Sequence, residues 1–165
     1  MLLNRIEVFI KSHLKLVFLQ QYNYYLKGMK TKYLILSTLA LFVFAMLWNG
    51  LIHMVILKQA NMQVVELHRP ETSMGLSILL TLLLAFLFSV GYLKWNSSSS
   101  QKATIAYSFF FALLMGVMVN LNQYILYPIP GILSLTWFAF GIIEFFIYGQ
   151  ISRLVYRMAE RNTDK

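Results

Sequence analysis

Apolar residues in this chain gather in long unbroken stretches instead of alternating with polar ones. From Tyr33 to Leu57 there are 25 residues without Asp, Glu, Lys or Arg, and between Glu71 and Lys94 there are 22 more. Between Lys102 and Glu144 the uncharged run is 41 residues, twice the roughly 20 that one helix needs to cross the hydrocarbon layer. Tyr127-Pro128-Ile129-Pro130-Gly131 divides it, since two prolines and a glycine end one helix and begin another. The pattern predicts four membrane-spanning helices at about 33–57, 73–94, 104–127 and 132–156. Lipid supplies no hydrogen-bond partners to the backbone, so the runs must be helices that satisfy their own amides. The expected fold class is an all-α bundle of four transmembrane helices over residues 29–165, preceded by an amphipathic basic segment over 1–28.

In that leading segment Leu3, Ile6, Phe9, Ile10, Leu14, Val17 and Phe18 recur at helical spacing, with Arg5, Lys11, Ser12 and Lys15 largely on the other side. The pattern fits a helix lying among anionic headgroups, or one that docks on a partner. Met29-Lys30-Thr31-Lys32 before a long apolar run also reads as a natural start, which would leave residues 1–28 outside the native protein. A cleaved signal peptide is not expected, because the first apolar run is too long for its core.

Composition narrows the class further. Charged residues are 12% of the 165, hydrophobic residues 59%, and the mean hydropathy is +0.64. A soluble fold of this size could not cover that much apolar side chain with so few charges. Cysteine is absent, which excludes disulfide scaffolds, thiol nucleophiles and zinc-thiolate sites. The net charge of +8 comes from residues that punctuate the apolar runs, so a nucleic-acid partner is not expected. Twelve basic residues fall before the first run, on either side of the loop at Asn96–Gln101 (Lys94 and Lys102) and in the tail, against two in the other connections. Both termini are therefore expected on the cytoplasmic side of an inner (plasma) membrane. Tyr25, Tyr33, Trp95 and Tyr156 at one interface, with Tyr124 and Tyr127 at the other, are expected as aromatic belts.

Polar groups inside spans are where function is sought first. The candidates are Asn49 and His53 in the first helix, Asn120, Asn122 and Gln123 in the third, and Glu144 in the fourth. At 1.5 Å per residue, Asn49 and Asn120 both lie roughly 24 Å from the cytoplasmic ends of their helices, in the outer leaflet. Glu144 lies deeper, roughly 15 Å from His53 along the membrane normal, so an acid–base pair of the two is not expected. At its own depth Glu144 is expected to meet Ser37, Thr38, Ser89, Tyr107 or Ser108, with no cation in reach. Two readings stand for it: a carboxylate in a transport path or ligand cavity, or one that ties helices together. The amides read as interhelical glue.

Ser108, Ala112, Gly116 and Asn120 make a small-residue stripe at four-residue spacing, and Gly141 and Gly149 a weaker one on the fourth helix. Such stripes let helix backbones approach closely in lipid. The second helix has few polar residues and is expected to face lipid most, while Trp48-Asn49-Gly50 marks a possible irregularity in the first. Phosphate-binding loops, metal-protease motifs and nucleophile elbows are absent. His13, His53 and His68 form no metal-ligand cluster, and a haem on His53 would lack a second histidine from another span. No catalytic residue, metal or cofactor is expected.

Leu47-Trp48-Asn49-Gly50-Leu51, Arg69-Pro70, the glycine-bearing third helix, the Tyr127–Gly131 turn and Trp137…Glu144…Gly149 give the chain a resemblance. Over residues 33–156 it resembles a group of uncharacterised bacterial proteins with four transmembrane helices. The resemblance implies a fold and no activity, so no functional residue is carried over. The first functional expectation is a non-enzymatic accessory or assembly subunit of a larger membrane complex, or a homo-oligomer, acting through helix and lipid contacts. The second is a small transporter or ligand-binding membrane protein that uses Glu144, with Asn49, Asn120 and Gln123 lining a vestibule.

Overall fold

The computed structural model describes residues 30–64, 74–95 and 100–161. The amphipathic segment expected over 1–28 lies outside the described residues. Four helices are long and apolar enough to cross a membrane: α1 (Lys30–Ile56), α2 (Met74–Trp95), α3 (Gln101–Leu126) and α4 (Gly131–Arg161). Among the described residues there is no strand, and the chain is a multi-pass, all-α membrane protein. The helices start and end within a few residues of the uncharged runs, except that α4 continues beyond Tyr156 to Arg161. That last turn carries Arg157 and Arg161, whose heads suit water beyond the apolar layer.

The turn between α3 and α4 is made by its prolines. Tyr127 is extended, at φ −129° and ψ 150°, as a residue before proline must be. The Pro130 carbonyl then accepts from Leu133 N–H at 2.9 Å and Ser134 N–H at 3.2 Å, which starts α4. Of the contacts among α2, α3 and α4, those between α3 and α4 are the most extensive. Ser108, Ala112 and Gly116 are buried there. A Cβ on Gly149 would run into the Ser108 hydroxyl, and one on Gly116 into the Phe138 ring. The two backbones approach closely because these side chains are small or absent.

The half of the bundle nearer the Trp95–Gln101 connection is closed by hydroxyl groups and rings. Ser89 of α2 donates to Ser37 Oγ of α1 at 2.9 Å, and Ser37 shares a 3.3 Å hydrogen bond with Ser152 of α4. Tyr92 and Thr104 join α2 to α3 at 2.9 Å, and Tyr107 donates to the Phe88 carbonyl at 2.9 Å. Tyr33 packs against Tyr92 and Tyr156, with centroids 6.1 and 5.6 Å apart.

Two expectations change here. Tyr33 and Tyr156 do not stand in a belt facing lipid: both are buried in the core, because the two rings pack on each other. Trp95, Tyr124 and Tyr127 are exposed. α1 and α2 are alike in exposure, with 17% and 22% of their most apolar stretches buried, so α2 does not stand apart as the helix facing lipid most. α1 buries Tyr33, Ser37, Leu41 and Ala45 at four-residue spacing, and Ile52 beyond them, so its buried stripe is narrow.

Candidate functional site

Two departures from α-helical geometry shape the other half of the bundle. α1 widens into a π-helical stretch over Gly50–Ile56, and α3 does so over Gly116–Leu121. A π segment carries an extra residue per turn, rotates the residues beyond it and is common at functional sites. Ile52 and His53 from the first stretch, and Gly116, Val119 and Asn120 from the second, line one cavity of about 610 Å³. Along α3 the cavity reaches from Gln123 to Ala112, about 16 Å at 1.5 Å per residue.

Five of the six polar residues singled out in the sequence, Asn49, His53, Asn120, Gln123 and Glu144, line this cavity. Asn122, the sixth polar group of the spans, is exposed. Glu144 is half-buried and accepts from Tyr148 Oη at 2.9 Å, with the Asn49 amide as a second polar neighbour. None of its expected partners bonds to it: Ser37 and Ser89 belong to the hydroxyl cluster, Tyr107 is bonded to Phe88, and Thr38 and Ser108 hold no hydrogen-bond partner among the described residues. These groups were expected level with Glu144, but Ser37 bonds to Ser152, eight residues further along α4 and so about 12 Å from Glu144 along the axis; Glu144 stands opposite Asn49 instead.

Asn61, in the short helix Lys58–Met62 after α1, ties the connection to the cavity wall. Trp137 Nε1 donates to Asn61 Oδ1 at 3.2 Å, and Asn61 Nδ2 donates to the His53 carbonyl at 3.1 Å. The same Nδ2 lies 3.2 Å from His53 Nδ1. An indole N–H can only donate, so Oδ1 is the atom facing Trp137 and Nδ2 the one facing His53. Nδ1 of His53 is thereby placed to accept, as it does in the neutral ring protonated on Nε2. Below this lock, Val64 packs with Ile129 and Leu133 against Trp137. His53 and Glu144 share a cavity, yet each is bonded to a different partner.

The glycines of α4 divide. Gly149 is a packing glycine against Ser108, whereas a Cβ on Gly141 would meet only Asn120 Nδ2, at 3.5 Å. Gly141 lines the cavity, so its missing side chain leaves space instead of bringing backbones together. Its eight-residue spacing from Gly149 does not reveal this.

Trp48, Asn61, Trp137 and Tyr148 complete the site and were not among the residues expected. Trp137, Gly141, Glu144 and Tyr148 follow i, i+4, i+7, i+11 along α4, a spacing that puts them on one face. That signal was present in the sequence. Asn61 had none, because its place depends on how the connection folds back. Among the described residues no group of His, Asp and Glu could hold a metal ion. No protein-family model, no curated protein and no solved structure matches the chain.

Proposed function

We propose that this chain is an inner-membrane protein, with both termini cytoplasmic, that binds or carries a small amphipathic molecule in the cavity around Glu144 and catalyses no reaction. The observation that carries the reading is the convergence of Asn49, His53, Asn120, Gln123 and Glu144, from three spans, on one cavity of about 610 Å³. That volume lies in the range of small-molecule sites, which join apolar walls to a few placed polar groups. Side chains that served only as glue between helices would bond to one another and leave no space. Here the space is kept open by Gly141 and by two π segments.

The alternative, an accessory subunit or homo-oligomer, makes a different demand on the same experiment. The full chain is purified from native membranes in mild detergent and its intact mass measured. A bound small molecule, lost in Gly141→Leu, is the result expected. Stoichiometric foreign subunits with no small adduct would overturn the ligand reading in favour of the accessory one.

A further inference from the structure

We infer that the cavity selects organic cations, an ammonium or similar group carried on an apolar or aromatic body. The inference rests on the ligand-binding reading above and adds the charge class of the ligand.

The charge balance of the cavity is one-sided. Among the described residues Glu144 is its sole carboxyl, and neither lysine nor arginine lines it. His53 meets the Asn61 amide at Nδ1, where the neutral ring accepts. The partners of Glu144 are the neutral Tyr148 and Asn49. A carboxyl taken out of water either holds a proton or finds a counter-charge, and the described lining supplies no counter-charge. A cationic ligand would let it ionise and pair with it, whereas an anionic ligand would meet no compensating cation.

The walls supply the second half of cation recognition. Trp48, Trp137, Phe140, Phe145 and Tyr148 line the same space. Trp48 and Phe140 stand edge to face with centroids 6.3 Å apart, which leaves ring faces directed differently around the cavity. Aromatic faces attract ammonium groups through their quadrupole, more strongly where water is excluded. A compact inorganic ion would find one carboxylate and no further ligand cluster. A cation with an apolar body would place its charge near Glu144 and its body against the tryptophans.

The test uses the full chain in lipid nanodiscs, with empty discs correcting for partition into lipid. Two probes of one shape are compared, benzyltrimethylammonium and its uncharged carbon isostere neopentylbenzene. Two of the three tryptophans line the cavity, so a Trp95→Phe background makes indole fluorescence report on the site. The expected result is at least tenfold tighter binding of the ammonium, with the preference lost in Glu144→Gln and kept in Glu144→Asp. The wild-type comparison stands even where a Glu144 variant fails to fold. Equal binding of both probes would overturn the cation inference and leave the ligand reading intact. Binding of neither would overturn the inference and count against the ligand reading as well.

Discussion

Gly141 and Gly149 lie on the same helix and bear on opposite properties of the protein. Gly149→Ala would drive a methyl group into the Ser108 hydroxyl, and overpacking of this kind costs about 1–3 kcal/mol. Thermal unfolding in detergent should show the loss, and Ser108→Gly in the same chain should recover part of it. If the single variant is as stable as the wild type, the close approach of α3 and α4 is wrong. Gly141→Leu should behave in the reverse way. Its side chain enters open space, and leaving glycine in a helix interior gains about 0.8–1 kcal/mol in helix propensity. The melting temperature should hold or rise while cavity ligands are excluded. Both glycines were visible in the sequence, but their difference was not, because it depends on what stands opposite each one.

At the scale of the helices, the hydroxyl cluster gives a direct test of how α1 and α4 face each other. The chain has no cysteine, so an introduced pair is free of competing thiols. Ser37 Oγ and Ser152 Oγ are 3.3 Å apart, close enough for side chains at these positions to form a disulfide without large backbone movement. Ser37→Cys with Ser152→Cys should cross-link on mild oxidation, seen as a mobility shift reversed by reductant. A control pair using the lipid-facing Leu36 should not. The helices themselves were legible, since an uncharged run of sufficient length has no other stable form in hydrocarbon. Their rotations were less so. Trp48-Asn49-Gly50 hinted at the first π segment, whereas the second, opening at Gly116, lies within a small-residue stripe that otherwise reads as regular helix.

For the whole molecule, four spans leave Lys30 and Arg161 at the same side of the bundle, and the orientation proposed above rests on the rule that basic residues stay on the cytoplasmic side. A reporter fused after Lys165 should register as cytoplasmic, and one inserted at the Tyr127–Gly131 turn should register on the opposite face. The reverse pattern would overturn the orientation proposed above. The cavity lies in the half of the bundle that holds this turn and Asn61, so the same experiment also fixes from which side a ligand approaches it.

The number, length and helical nature of the spans followed from sequence alone. They depend on the thickness of hydrocarbon and on backbone amides that must be satisfied within each segment, and both act residue by residue along the chain. The polar residues that matter were legible for a related reason, since a carboxyl or amide in an apolar run stands out wherever it points. Tertiary structure alone decided what they form together. Neither the height of one helix against another nor the direction a side chain takes around its helix follows from counting residues, because both depend on neighbouring helices and on the extra residues of the π segments. The packing set Glu144 beside Tyr148 and Asn49 and above the Ser37–Ser152 level, buried Tyr33 and Tyr156, and gathered the polar residues of three spans around one cavity.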